Sequence, residues 1–307
     1  MDYSEATLDL PTDFSLGNIT VYTEGNSEPS AVVDAKGQVR VPATANLFLD
    51  LSQEVCDHLE KLPLVPNRLL TNGVRLVQRK LHDARFERLR AIQGLSTLVI
   101  SMCGVIRTEQ LRELGTLDSL EHLDLSGTEI DSSSFTWLSQ FPRLKWLSFS
   151  GSSTGKECLE PLSKLPLLEH LDLGRARLTD DDVQLLWFFP KLKTLILGGC
   201  DVGDSAWSGM ASCKKLSYLH LPNTRITDSG VDTIVTQAER GGLQLRTLVL
   251  RCCQITDRSI ARLSSVADLR SLDLWGTAVT ANGIAFIRGA RPRCTVFAES
   301  WKHSSAT

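Results

Sequence analysis

One apolar pattern, L-x-x-L-x-L, returns along this chain at a nearly constant spacing, and such a period constrains the fold more than any single motif. It opens at Leu120 (with Leu123 and Leu125), Leu144, Leu168, Leu192 and Leu216, each 24 residues after the last. A step of 29 leads to Leu245, and 24 more lead to Leu269. Backwards, Leu95 stands 25 residues before Leu120, and looser copies open at Thr71 and Asn46. Forwards, Val296 takes the second apolar slot of a closing strand, so the chain holds about ten units.

The first three apolar slots of a unit alternate, as in a short strand, and the later ones advance by threes, as on a helix. In the unit from Leu168 the later slots are Leu178, Val183, Leu186 and Phe189. Thr179-Asp180, Thr227-Asp228 and Thr256-Asp257 precede the helical stretches and offer N-cap oxygens to the first free N–H groups. A single unit cannot bury its own apolar face, but a stack buries a continuous core. Helical crossovers make neighbouring strands parallel. Strands pack about 4.8 Å apart and helices about 10 Å apart, which predicts curvature with the strands inside. The expected architecture is therefore α/β: a right-handed solenoid of horseshoe shape, with a parallel concave sheet and convex helices.

This arrangement, L-x-x-L-x-L followed by T/C/N-x-I-T-D, resembles the leucine-rich-repeat proteins over roughly residues 46–297. Thr224-Arg225-Ile226-Thr227-Asp228-Ser229-Gly230-Val231 and Cys253-Gln254-Ile255-Thr256-Asp257 are similar to the short 24-residue TxITDxGL variety common in bacteria. The resemblance implies the solenoid. Family members bind very diverse partners, so it implies no particular biochemical role. It also implies a ladder at the slot eight residues past each opening, which reads Cys103, Thr128, Ser152, Ala176, Cys200, Thr224, Cys253 and Thr277. A small hydroxyl or thiol there can bond to the neighbouring turn, which makes these cysteines structural.

Residues 1–45 fall outside the repeat. Two alternating stretches there, Ile19–Thr23 and Gln38–Pro42, read as a β cap over the first unit. Residues 46–297 form the solenoid, and the polar 298–307 reads as a disordered tail. The 29-residue unit carries its extra residues around Val235–Leu243, as a helix one turn longer ended by Gly241-Gly242.

Composition narrows the class further. The formal charge is -3 and 42% of residues are hydrophobic, as in a soluble globular chain. No apolar run approaches the length of a membrane span, and the acidic start does not read as a secretory signal. Eight cysteines without a CxxC pair suggest reduced thiols and a cytoplasmic protein. Charge is uneven: residues 61–90 hold eight bases against two acids, whereas residues 1–60 hold eleven acids against two bases. A solvated edge accounts for this, as does pairing with an acidic partner or with the acidic N-terminal segment.

Residues at the second, fourth and sixth positions past each opening point away from the core, onto the strand face. They form two groups. The first is His122, Asp124, Trp146, His170 and Asp172; the second is Tyr218, His220, Arg251 and Trp275. Exposed aromatics and arginine dominate binding hot spots, so both groups are expected to bind a protein partner. The alternative is a hydrolase or metal-dependent site built on His122, Asp124, His170 and Asp172. Asp124 and Asp172 stand two strands apart, about 9.6 Å, near the upper limit for an inverting glycosidase pair. His122 and His170 are equally distant, too far to share one zinc ion unless their side chains converge. The expected function is thus protein–protein interaction without catalysis, cofactor or metal. No basic stripe interleaved with aromatics runs along the face, so nucleic acid is not favoured.

Overall fold

The computed structural model describes residues 5–23, 26–57, 59, 72–81, 84–92, 94–131 and 135–298. Thr71, Lys61, Arg68 and the tail beyond residue 298 lie outside them. The chain divides into two compact units, Met1–Ser152 and Ser153–Thr307.

The first unit contains β1 (Glu5–Asp9), β2 (Gly17–Tyr22), β3 (Ala31–Asp34), β4 (Gln38–Pro42) and β5 (Asn46–Leu51). β1 pairs antiparallel with β4, and β2 lies antiparallel between β3 and β5. From β5 onwards the ladder is parallel, through β6 (Gly73–Val77), β7 (Thr97–Ser101), β9 (His122–Asp124) and β11 (Trp146–Ser148). β8 (Gly104–Arg107) and β10 (Thr128–Asp131) form a separate parallel pair. The helical parts are short: α1 (Gln53–Asp57), α2 (Thr108–Glu113), and 3₁₀ turns over Phe86–Ala91 and Thr136–Gln140.

In the second unit β12 (His170–Asp172), β13 (Thr194–Ile196), β14 (Tyr218–His220), β15 (Thr247–Val249), β16 (Ser271–Asp273) and β17 (Thr295–Phe297) pair in parallel and in sequence order. Leu195, Leu219, Leu248 and Leu272, at the predicted inward slots, are fully buried. Opposite the strands run α3 (Leu159–Ser163), α4 (Asp180–Gln184), α5 (Asp228–Gly241), α6 (Asp257–Leu263) and α7 (Ala281–Ala290).

The crossovers depart from the sequence expectation. Among the described residues only α5, α6 and α7 reach seven residues, and elsewhere 3₁₀ turns such as Leu185–Phe188 and Asp204–Trp207 take the helical place. The apolar slots permit either form. Val183, Leu186 and Phe189 recur every three residues, which is the 3₁₀ repeat, and Ile260, Leu263 and Val266 keep the same spacing through α6 in another 24-residue unit. The 29-residue unit carries the longest described helix. Its helix α5 runs for 14 residues and ends, as predicted, at Gly242 in the left-handed conformation with φ 61°.

The parallel strands β6, β7, β9 and β11 to β16 are stopped in the same way. The residue seven past the openings from Thr71 to Leu269 has positive φ: Gln78, Met102, Gly127, Gly151, Arg175, Gly199, Asn223, Cys252 and Gly276. A left-handed residue turns the chain out of the ladder, and five of the nine are not glycine. One slot later the expected ladder is present in part, at Cys103, Thr128, Cys200 and Cys253, while Ser152, Thr224 and Thr277 donate to a carbonyl of their own repeat. Cys103 and Cys200 donate from Sγ to the carbonyls of Leu76 (2.8 Å) and Leu173 (3.1 Å) one unit back. Thr128 Oγ1 donates to the Ile100 carbonyl at 2.9 Å. All eight cysteines are free thiols. Burial pushes the Cys158 and Cys213 thiols up to about 12.

The Thr-Asp pairs do more than cap. Thr227, Thr256 and Thr280 accept an N–H within the first turn of their own helices. The aspartate instead reaches the next repeat, as does Asp204, which follows Gly203: Asp204 accepts from Thr227 N (2.8 Å) and Oγ1 (2.6 Å), Asp228 from Thr256 N (2.9 Å) and Oγ1 (2.6 Å), and Asp257 from Thr280 N (2.8 Å) and Oγ1 (2.6 Å). Desolvation would raise the Asp228 carboxyl, but hydrogen bonds from Ser259 and Thr256 and the Arg258 charge outweigh it and hold it low.

This chain of carboxylates explains the glycine of the motif. A Cβ on Gly283 would collide with the Asp257 carboxylate and stand 2.9 Å from Val279 Cγ1. Gly289, in the same helix, has nothing within 4 Å of its missing Cβ. Gly283→Ala is therefore expected to cost about 1–3 kcal/mol through overpacking, whereas Gly289→Ala gains about 0.5 kcal/mol of helix propensity. Urea denaturation of the two variants reads the difference; equal midpoints would contradict the carboxylate packing.

Candidate binding surface

In the first unit, β9 and β11 pair so that His122 stands opposite Trp146. Their rings stack at 3.8 Å between centroids and 15° between planes. Asp124 Oδ1 accepts the backbone N–H of Ser126 at 2.8 Å, closing the turn that follows the strand. His122, Asp124 and Trp146 are all half-buried.

In the second unit the fourth positions form one row across the ladder: Asp172, Ile196, His220, Val249, Asp273 and Phe297. Asp172 Oδ1 accepts the N–H of Gly174 at 2.9 Å, the same turn closure as at Asp124. Both carboxylates of the hydrolase alternative thus brace backbone. His170 Nδ1 lies 2.8 Å from Thr194 Oγ1 on the next strand. Burial pushes its imidazole below the usual range; Glu169 opposes this and Lys193 adds to it. Among the described residues no three His, Cys, Asp or Glu side chains gather as metal ligands.

The Tyr218 and His220 rings lie nearly parallel, 6.3 Å apart. Burial lowers the His220 pKa, against the pull of Asp172 and Asp273 and with the push of Arg251, so the imidazole is neutral at pH 7. Burial, with Asp172 and Asp273, raises the Tyr218 pKa. Arg251 donates to Asp273 Oδ2 from Nη2 (2.6 Å) and Nε (3.2 Å), and its guanidinium carbon sits 5.5 Å from the Trp275 ring centroid. Asp273 Oδ1 accepts the Trp275 N–H at 3.0 Å. One nearly buried carboxylate therefore holds the Arg251 side chain and the Trp275 backbone, and the guanidinium lies against the indole.

The repeat register places Arg251, Trp275 and Asp273 on this face, but sequence reasoning does not single out Asp273 there and leaves out Phe297. Asp273 repeats the position of Asp124 and Asp172, and Phe297, 52% exposed, occupies it on the closing strand. Carrying the register through to residue 297 finds Phe297.

Family models described as Leucine Rich Repeat match residues 119–141 and 245–264, one in each unit. No curated protein sequence matches the chain. Among solved structures it is similar to an internalin C2 from Listeria monocytogenes, at 22% identity and TM-score 0.50, covering 72% of this chain and 87% of that one. An internalin from the same organism, inlF, matches at 16% identity and TM-score 0.49, over 75% of this chain and 74% of that one. A plant peptide hormone receptor, RGFR1 in complex with RGF2, matches at 15% identity and TM-score 0.43, over 75% of this chain and 34% of that one. The repeat matches and the parallel strand-and-crossover units define a solenoid class. The chain is a leucine-rich-repeat protein.

Proposed function

We propose that this chain is a protein-interaction module that takes a protein partner on the open strand face of its second unit, centred on Arg251 and Trp275, and performs no catalysis there. The observation that carries this reading is the Asp273-held pair. Arg251 and Trp275 are exposed, and Arg251 is already fixed by a two-point ion pair with its guanidinium 5.5 Å from the Trp275 ring centroid. Ordering before contact removes part of the entropy cost of association, and Trp and Arg are the residues in which binding energy concentrates. Tyr218, His220, His170 and Asp172 extend the same face. The His122–Trp146 stack, with Asp124, gives the first unit an aromatic surface of its own. The reduced thiols suit a cytoplasmic setting.

Affinity purification with quantitative mass spectrometry tests this. Arg251→Ala/Trp275→Ala is expected to fold as wild type and to weaken capture of the partner by about thirtyfold, the loss typical of a hot spot. Retrieval of the same proteins in the same amounts by the double variant would sink the reading.

A further inference from the structure

We infer that the two return loops entering β16 and β17 form a binding site for a phosphate-class oxyanion, held by Arg270, Arg291 and Arg293. A cleft of about 220 Å³ lies between the Ala267–Arg270 segment and the Ala290–Cys294 segment, away from the strand face. The segments are tied by Thr295 N donating to the Arg270 carbonyl at 2.8 Å. That volume is below the range of drug-sized ligand pockets and suits a compact anion better than a nucleotide.

The arginines are placed, not merely nearby. Arg270 Nη1 and Arg291 Nη1 both donate to the Ala267 carbonyl, each at 3.4 Å. Arg291 Nε also donates to the Ser264 carbonyl at 2.6 Å. Two guanidinium groups sharing one neutral acceptor are held side by side with N–H groups to spare. Both also act electrostatically on the buried Cys294 thiol between them, pulling down a pKa that burial raises. Arg293 is exposed on the same cleft.

Among the described residues lining the cleft there is no carboxylate; Asp268, within the first segment, is not part of the lining. The carbonyl end of α7 contributes only about half a negative charge, against three guanidinium groups that stay protonated at any physiological pH. The balance is strongly positive. Planar guanidinium forks match phosphate oxygens in pairs of charge-assisted hydrogen bonds, which makes phosphate the fitting ligand class.

The test is calorimetric titration of the full-length chain with inorganic phosphate and, separately, with a phosphoserine peptide. Saturable binding is expected for wild type. Arg293→Gln, which breaks no described internal hydrogen bond, is expected to weaken it by about tenfold, the loss of one charge-assisted contact. Arg225→Gln, remote and paired with Asp201, is expected to leave binding unchanged. A lower Kd for phosphoserine assigns the ligand to a phosphorylated chain, and a lower Kd for phosphate to the free anion. Absence of saturable binding by either probe, or equal weakening by Arg293→Gln and Arg225→Gln, overturns the site.

Discussion

Trp207→Ala is expected to destabilise the second unit by about 3–5 kcal/mol. The Trp207 side chain is fully buried on the crossover side, 5.9 Å from the Trp187 ring. Gly209 leaves room for that neighbour, since a Cβ there would stand 2.6 Å from Trp187 Cδ1. The surrounding turns are 3₁₀ segments of three or four residues, Asp204–Trp207 and Met210–Ser212. They have few backbone hydrogen bonds of their own, so the indole carries much of their order. In a repeat array stability is a sum of unit and neighbour-interface terms, so the loss should stay local and broaden the unfolding transition. Urea melts followed by circular dichroism, with limited proteolysis near residues 204–212, report both effects. A second pair of variants separates volume from polarity. Trp187 Nε1 donates to the Ala206 carbonyl at 2.9 Å, whereas Trp207 Nε1 has no protein acceptor among the described residues. Trp187→Phe should therefore cost more than Trp207→Phe, by about 1 kcal/mol. The reverse order would contradict this assignment of roles.

The strand register was legible in the sequence, because leucines at every second position leave one arrangement that buries them all. Leu171, Leu195 and Leu219 sit where the period placed them. The crossovers were less legible. A spacing of three suits both a 3₁₀ turn and one face of an α-helix, so it does not separate them: α6 and the Leu185–Phe188 turn lie in units of equal length. The left-handed position was hidden because Met102, Arg175 and Cys252 hold it without the glycine that marks it elsewhere. The Asp204, Asp228 and Asp257 bridges were hidden for another reason. Their partners lie 23 or 28 residues ahead, so a local reading sees only an N-cap pair. On the candidate surface the same division holds. Alternation exposes Arg251 and Trp275, but it does not reveal that the Asp273 carboxylate pairs with the Arg251 guanidinium and accepts the Trp275 backbone N–H.

Gln110→Leu is expected to cost about 3–5 kcal/mol, although it replaces one buried side chain by another of similar size. Gln110 lies in α2 of the first unit and is almost completely buried. Its Nε2 donates to the carbonyls of Leu81 (2.7 Å) and Ala84 (2.8 Å), and its Oε1 accepts the Arg107 N–H at 3.0 Å. Both carbonyls belong to buried residues of the preceding repeat, where water cannot easily replace the lost donor. Leucine fills the space but leaves two acceptors and one donor without partners, and such groups cost more than the bonds themselves contribute. Gln110→Glu sharpens the case. A carboxylate keeps the Arg107 bond but faces two carbonyl oxygens, which raises its folded pKa above the unfolded value of about 4.3. A group raised in this way binds its proton more tightly in the folded state. The variant should therefore recover stability as pH falls towards 4 and lose it as pH rises through the folded pKa. Urea denaturation at pH 7 and pH 4.5 reads both signs, each variant compared with wild type at the same pH. If Gln110→Leu stays within about 0.5 kcal/mol of wild type, the range of ordinary surface substitutions, the glutamine does not bind two neighbouring repeats of the first unit together.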